Sequence, residues 1–130
     1  MAWPLFVCAD EDAETLATLC AEKLPAVSVK RENGYASVFS AAKWLSADVY
    51  RGIGRMAGCH VYEDQGDFVF ANERFLTIHA RTAGQKTIRF KRPADPWEVC
   101  EKKSYRQGVE EITIPMVRGE TLMFSLCGEV

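Results

Sequence analysis

No stretch of this sequence approaches the roughly 18 consecutive apolar residues that a membrane-spanning helix needs, so no membrane association through such a helix is expected. The opening residues Met1-Ala2-Trp3-Pro4-Leu5-Phe6 put no charged region ahead of an apolar one, and no export leader is expected there. Charge of one sign is also missing. Sixteen Lys and Arg stand against 18 Asp and Glu, scattered among each other. A polyanion needs a one-signed field, so nucleic acid is not an expected partner. Histidine is scarce, with two residues, and no Cys-x-x-Cys pair occurs, so no zinc site is expected. Glycine-rich phosphate loops are lacking as well: Gly52-Ile53-Gly54 falls within a helical pattern and has no third glycine. No cofactor is expected. The five cysteines, Cys8, Cys20, Cys59, Cys100 and Cys127, are odd in number, widely spaced and mostly set among apolar residues. Reduced, buried thiols are expected rather than a disulfide framework, and with them a cytoplasmic location.

What is present suffices for a core. The 130 residues are 48% hydrophobic, the size of one domain or of two small lobes. Short extended runs are expected at 5–8, 14–20, 26–31 and 35–40, the last two joined by Asn33-Gly34, which tolerates positive φ and closes a tight hairpin. The run at 14–20 also fits a helical period through Ala13, Leu16, Ala17 and Cys20; strand is preferred. One principal helix is expected near residues 46–58. Ser46 can cap it, Asp48 suits its positive end, Gly58 stops it, and Val49, Ile53, Met56 and Ala57 form an apolar stripe that should face a sheet. Gly52 and Gly54 each weaken a helix, which points to a close neighbouring backbone.

Beyond the helix the period becomes two. Strands are expected at 60–62, 68–71, 75–80, 86–91, 97–100, 111–116 and 122–127, separated by turn signals. Ile112, Ile114 and Met116 share one face, and Leu122, Phe124 and Leu126 share another; these faces should meet in the core. Pro115 cannot donate to a ladder and puts its strand at an edge or itself at an unpaired site. The expected fold class is α+β, mostly antiparallel β in a sandwich-like or rolled sheet, with lobes 1–66 and 67–130 or one compact unit.

Cys59-His60 would sit on opposite faces of a strand, and a Cys59–His79 dyad needs a tertiary contact; packed histidines are the plainer reading. The loop acids Asp10, Glu11 and Asp12, and Asp64 and Asp67, read as solvated turns, since a glycosidase pair must face across a cleft. Arg89, Lys91 and Arg92, with Lys102, Lys103 and Arg106, read as solvated edges. Aromatics are in surplus: Trp3, Trp44, Trp97, Tyr35, Tyr62 and Tyr105. Trp97 follows a turn between Pro96 and Glu98, and with Tyr105 it is the candidate platform for stacking on a sugar. No catalytic residue and no metal ligand is assigned.

The run from Leu45 through Met56-Ala57-Gly58-Cys59-His60-Val61-Tyr62, then Asp67-Phe68-Val69-Phe70-Ala71-Asn72 and Phe75-Leu76-Thr77-Ile78-His79-Ala80 to Ile88, resembles the C-terminal region of bacterial glycoside-hydrolase-like proteins. There an amidotransferase-like domain of the β-galactosidase trimerisation type ends in a helix and strand, and a small β-sandwich follows. Residues 6–16 and 35–40 are similar to the last strands of that domain. The resemblance implies a non-catalytic accessory module, partnered by the catalytic domain of a larger protein or by copies of itself. The alternatives are a carbohydrate-binding module and a small hydrolase using a Cys/His or carboxylate site.

Overall fold

The computed structural model describes residues 6–19 and 22–130; Trp3, Leu5 and Cys20 lie outside them. The chain forms two compact units, Met1–Ser46 and Ala47–Val130. The sequence reading placed a division near 64–72, where the helix-containing part gives way to the purely β part. The contacts divide earlier because the segment after the helix is tied to strands that follow it: Arg55 and Arg89 both reach Asp64, and the Arg89 N–H donates to Tyr62 O at 2.8 Å.

The first unit is a three-stranded antiparallel sheet in the order β1 (Glu14–Thr18), β2 (Pro25–Glu32), β3 (Tyr35–Ser40). Strand, not helix, is therefore the state of the ambiguous run. Gly34, at φ +90°, closes the β2–β3 hairpin. The central strand buries Ala26, Val27 and Val29, while Lys30 and Asp10 pair at 2.7 Å outside. That hydrogen bond lowers the Asp10 carboxyl and raises the Lys30 ammonium from their ordinary values. Residues 6–8, expected to be extended, belong to no strand.

The second unit opens with α1 (Ala47–Met56), directly after Ser46, with Asp48 in its first turn and Gly58 at φ +74° past its end. The apolar stripe is not sunk into a sheet: no helix residue is buried, Val49 and Ile53 are half-buried and Met56 is exposed. Nor do the helix glycines mark a close backbone. A Cβ on Gly52 would meet nothing within 4 Å, and one on Gly54 would meet only Cys59 Cβ at 3.7 Å. Residues 60–62 are irregular rather than a strand.

Then come β4 (Phe68–Ala71), β5 (Phe75–His79), β6 (Gly84–Ala94), β7 (Trp97–Glu98), β8 (Lys103–Ser104), β9 (Val109–Met116) and β10 (Thr121–Ser125). They form a five-stranded sheet, β4-β5-β10-β7-β8, and a two-stranded one, β6-β9, with all pairs antiparallel. Period-two burial sets which faces meet. Leu76, Ile78 and Phe124 from the larger sheet share a core with Ile88, Phe90, Ile112, Ile114 and Met116 from the smaller. Pro115 lies on β9, which among the described residues pairs with β6 alone, so its missing donor costs no bond to a further strand there. The chain is thus α+β, mostly antiparallel, with one short helix among the described residues. The described thiols are free, but Cys59, Cys100 and Cys127 are exposed and not buried as expected, and Cys8 is half-buried.

Candidate functional site

From Gly84↔Met116 to Arg89↔Glu111, β6 and β9 pair residue for residue, and the next partners are Ala94↔Val109. Residues 90–93 therefore bulge against Glu110 alone. Such a bulge bends the strand and frees backbone that the ladder would have consumed. Pro93, with no amide donor, suits this break. The bulge forms one wall of a cleft of about 670 Å³. Phe90, Tyr62 and Leu126 supply buried or half-buried apolar surface; Lys91, Arg92 and Glu73 stand exposed on it. Two polar groups at the cleft are committed to the fold. Asp95 Oδ1 accepts the Gly108 N–H at 2.7 Å, and Asn72 Oδ1 accepts from Arg74 and Phe75 in the β4–β5 turn.

Four ionisable side chains are covered in this unit: Asp67, read from the sequence as a solvated turn acid, and Lys86, Glu63 and Glu98, which sequence reasoning passed over; all are spent on structure. Lys86 is 2% exposed at a core-facing position two residues before Ile88, and its Nζ lies 2.8 Å from Asp67 Oδ2. Nζ also donates to Thr82 Oγ1 at 3.1 Å, and Asp67 Oδ1 accepts the Arg81 N–H at 2.9 Å. Asp67 is therefore no solvated turn acid; its side chain is fully covered. Glu63 folds its carboxylate onto the amides of Gln65, Gly66 and Asp67, which holds the turn before β4. Glu98, 1% exposed, receives the Glu101 N–H at 2.5 Å. Burial raises its proton affinity, but amides of Glu101, Cys100 and Met123 outweigh burial and leave the carboxyl below its ordinary value. Alternation with Ile88 and Phe90 was the available signal for Lys86. Glu98 had no such signal, because its partners come from a turn.

The proposed sugar platform does not assemble. Trp97 is 5% exposed, because β7 is paired on both sides, with Ser125 of β10 and with Ser104 of β8, and is no free turn. Tyr105 is half-buried: its ring meets Phe124 edge-on at 5.6 Å, and Lys103 Nζ lies 5.3 Å from its ring centre. Burial, then Glu98, Glu101 and Glu120, raise its phenol. The Cys/His pairing fares no better. His60 Nε2 meets Arg89 O at 2.9 Å and His79 Nδ1 meets Thr121 Oγ1 at 2.7 Å, so neither contact is to a thiol. Asp64 is held between Arg55 and Arg89.

Large aromatic side chains are exposed elsewhere. Phe68 and Phe70, 56% and 73% exposed, stand on one face of β4, the edge strand of the larger sheet. The Asn72 N–H donates to Phe75 O, and the register runs Phe70↔Thr77 and Phe68↔His79. Antiparallel alternation then turns the backbone groups of Val69 and Ala71 outward, to the open edge. Comparison of the chain with family models, with curated proteins and with solved structures yields no match.

Proposed function

We propose that this chain is a non-catalytic interaction module, related to those of carbohydrate-active enzymes, that associates with a second copy of itself through the open edge of β4. The observation that carries this reading is the pair of exposed phenylalanines, Phe68 and Phe70, beside a ladder edge that no strand of the described residues pairs. Self-pairing is geometrically consistent. If Val69 of one copy bonds Ala71 of the other and the reverse, the two-fold axis passes at Phe70, in a non-hydrogen-bonded position where Cα atoms come within about 4.5 Å. The two Phe70 rings then pack on each other. A short ladder with aromatic contacts makes a small interface, so the dimer is weak, with a dissociation constant on the order of 0.1 mM. The resemblance of residues 45–88 to an accessory region of glycoside-hydrolase-like proteins supports the same class. Size-exclusion chromatography with light scattering tests it: mass rises toward a dimer as concentration approaches ~1 mM, and Phe70→Lys, which sets two ammonium groups face to face, keeps the chain monomeric. A wild-type monomer throughout that range refutes the reading.

A second reading rests on the cleft at the β6 bulge. An aromatic surface at Tyr62, with Glu73, Lys91 and Arg92 exposed nearby, has the apolar and planar polar groups that grip a sugar ring. Glycan-array binding lost in Glu73→Ala and Arg92→Ala supports it; binding indifferent to both removes it.

A further inference from the structure

The turn from β5 to β6 and the turn from β9 to β10 lie side by side. The Gly119 N–H donates to Ala80 O at 2.7 Å, and the Ala80 N–H donates to Glu120 O at 2.9 Å. A cavity of about 480 Å³ opens there, lined by His79, Ala80, Arg81, Thr82, Arg118 and Gly119. Two arginines and no acidic residue line it.

The acids nearby are already engaged. Asp67 serves Lys86 and the Arg81 amide, and Glu120 Oε2 accepts the Val117 N–H at 2.7 Å. Arg81 spends one N–H on Gly66 O at 3.0 Å and lies 6.0 Å from the Phe68 ring centre; among the described residues neither Arg81 nor Arg118 has a carboxylate partner. Arg31, Arg51, Arg55 and Arg89 each meet an acid, whereas Arg81 and Arg118, like Arg74, Arg92 and Arg106, meet none among the described residues; Arg81 and Arg118 differ in lining one cavity together. Two like charges over one cavity repel unless a counter-charge sits between them, and a guanidinium fork matches the paired oxygens of an oxyanion. One neutral donor is at hand: the Thr82 hydroxyl accepts from Lys86 Nζ and keeps its own hydrogen.

We propose that this cavity is a binding site for an oxyanion, a phosphate, sulfate or carboxylate group, held between Arg81 and Arg118 with the Thr82 hydroxyl as a further donor. The site does not depend on self-association through β4. The test is a titration of the ¹⁵N-labelled chain with sodium sulfate, phosphate and acetate, each against sodium chloride at matched ionic strength. The expected result is saturable movement of the Arg81, Thr82, Arg118 and Gly119 amides with at least one of the three. Arg118→Gln, a change in an exposed turn that leaves the spectrum dispersed, weakens that binding about tenfold or more. Arg106→Gln, a change at an exposed arginine outside both cavities, leaves it unchanged. Shifts that chloride reproduces, that rise without saturating, or that persist unaltered in Arg118→Gln overturn the proposal.

Discussion

Replacing Asp67 by Asn removes the counter-charge of the Lys86 ammonium, which is 2% exposed and donates a hydrogen bond to Thr82 Oγ1. At 2.8 Å and an effective dielectric constant of about 20, the pair attracts by roughly 6 kcal/mol, while desolvation costs several kcal/mol for each ion. Intact, the bridge therefore adds little net stability. Broken on one side, it strands a charge, and the expected loss is about 3–5 kcal/mol. Asn still offers an oxygen to the Arg81 N–H, so the loss reports the charge and not that turn. Lys86→Met strands Asp67 in the same way. The double variant, Asp67→Asn with Lys86→Met, puts an apolar chain beside Ile88 and an amide where the carboxylate stood, and it recovers most of the stability. Urea unfolding followed by the fluorescence of buried Trp97 measures all four proteins, and the cycle should return a coupling of about 2 kcal/mol or more. Single variants that each cost under ~1 kcal/mol, or costs that simply add, would refute the reasoning.

Glu98 makes the second unit acid-sensitive. Because its carboxyl is lowered by the fold, its contribution is complete above the usual glutamate value of 4.5 and is lost as pH falls through that value toward the lower folded one. Glu98→Gln should cost about 1–3 kcal/mol at neutral pH and flatten that acid limb in unfolding curves taken at successive pH values. The glycines divide by backbone. Gly52→Ala in α1 meets nothing within 4 Å and should stabilise the helix by up to about 1 kcal/mol, whereas Gly34→Ala, at φ +90°, should destabilise the first unit by about 1–2 kcal/mol; thermal melts by circular dichroism read both.

Alternation made the sandwich core legible. Ile112, Ile114 and Met116 recur at every second position, and a pleated strand has no other way to bury them together. Asn33-Gly34 announced its hairpin by the same kind of local rule. Side chains whose partners are distant in sequence were harder to read. Trp97 sits beside a proline and a turn, but pairing with β10 and β8, brought in from elsewhere in the chain, is what buries it. The α1 stripe reported an apolar face without saying how deeply it would be covered. Asp67 looked like a turn acid until Lys86, nineteen residues on, came to lie against it. The cleft at residues 90–93 had one local sign, Pro93, which interrupts a strand pattern without indicating that four residues leave the ladder.

Self-association through β4 is most directly tested by mixing ¹³C,¹⁵N-labelled and unlabelled chains at high concentration and recording only contacts between the two. Cross-peaks between Phe70 ring protons of one copy and protons of Phe70 and its β4 neighbours in the other are the predicted result. Intermolecular cross-peaks confined to another surface, or none at all, would contradict it.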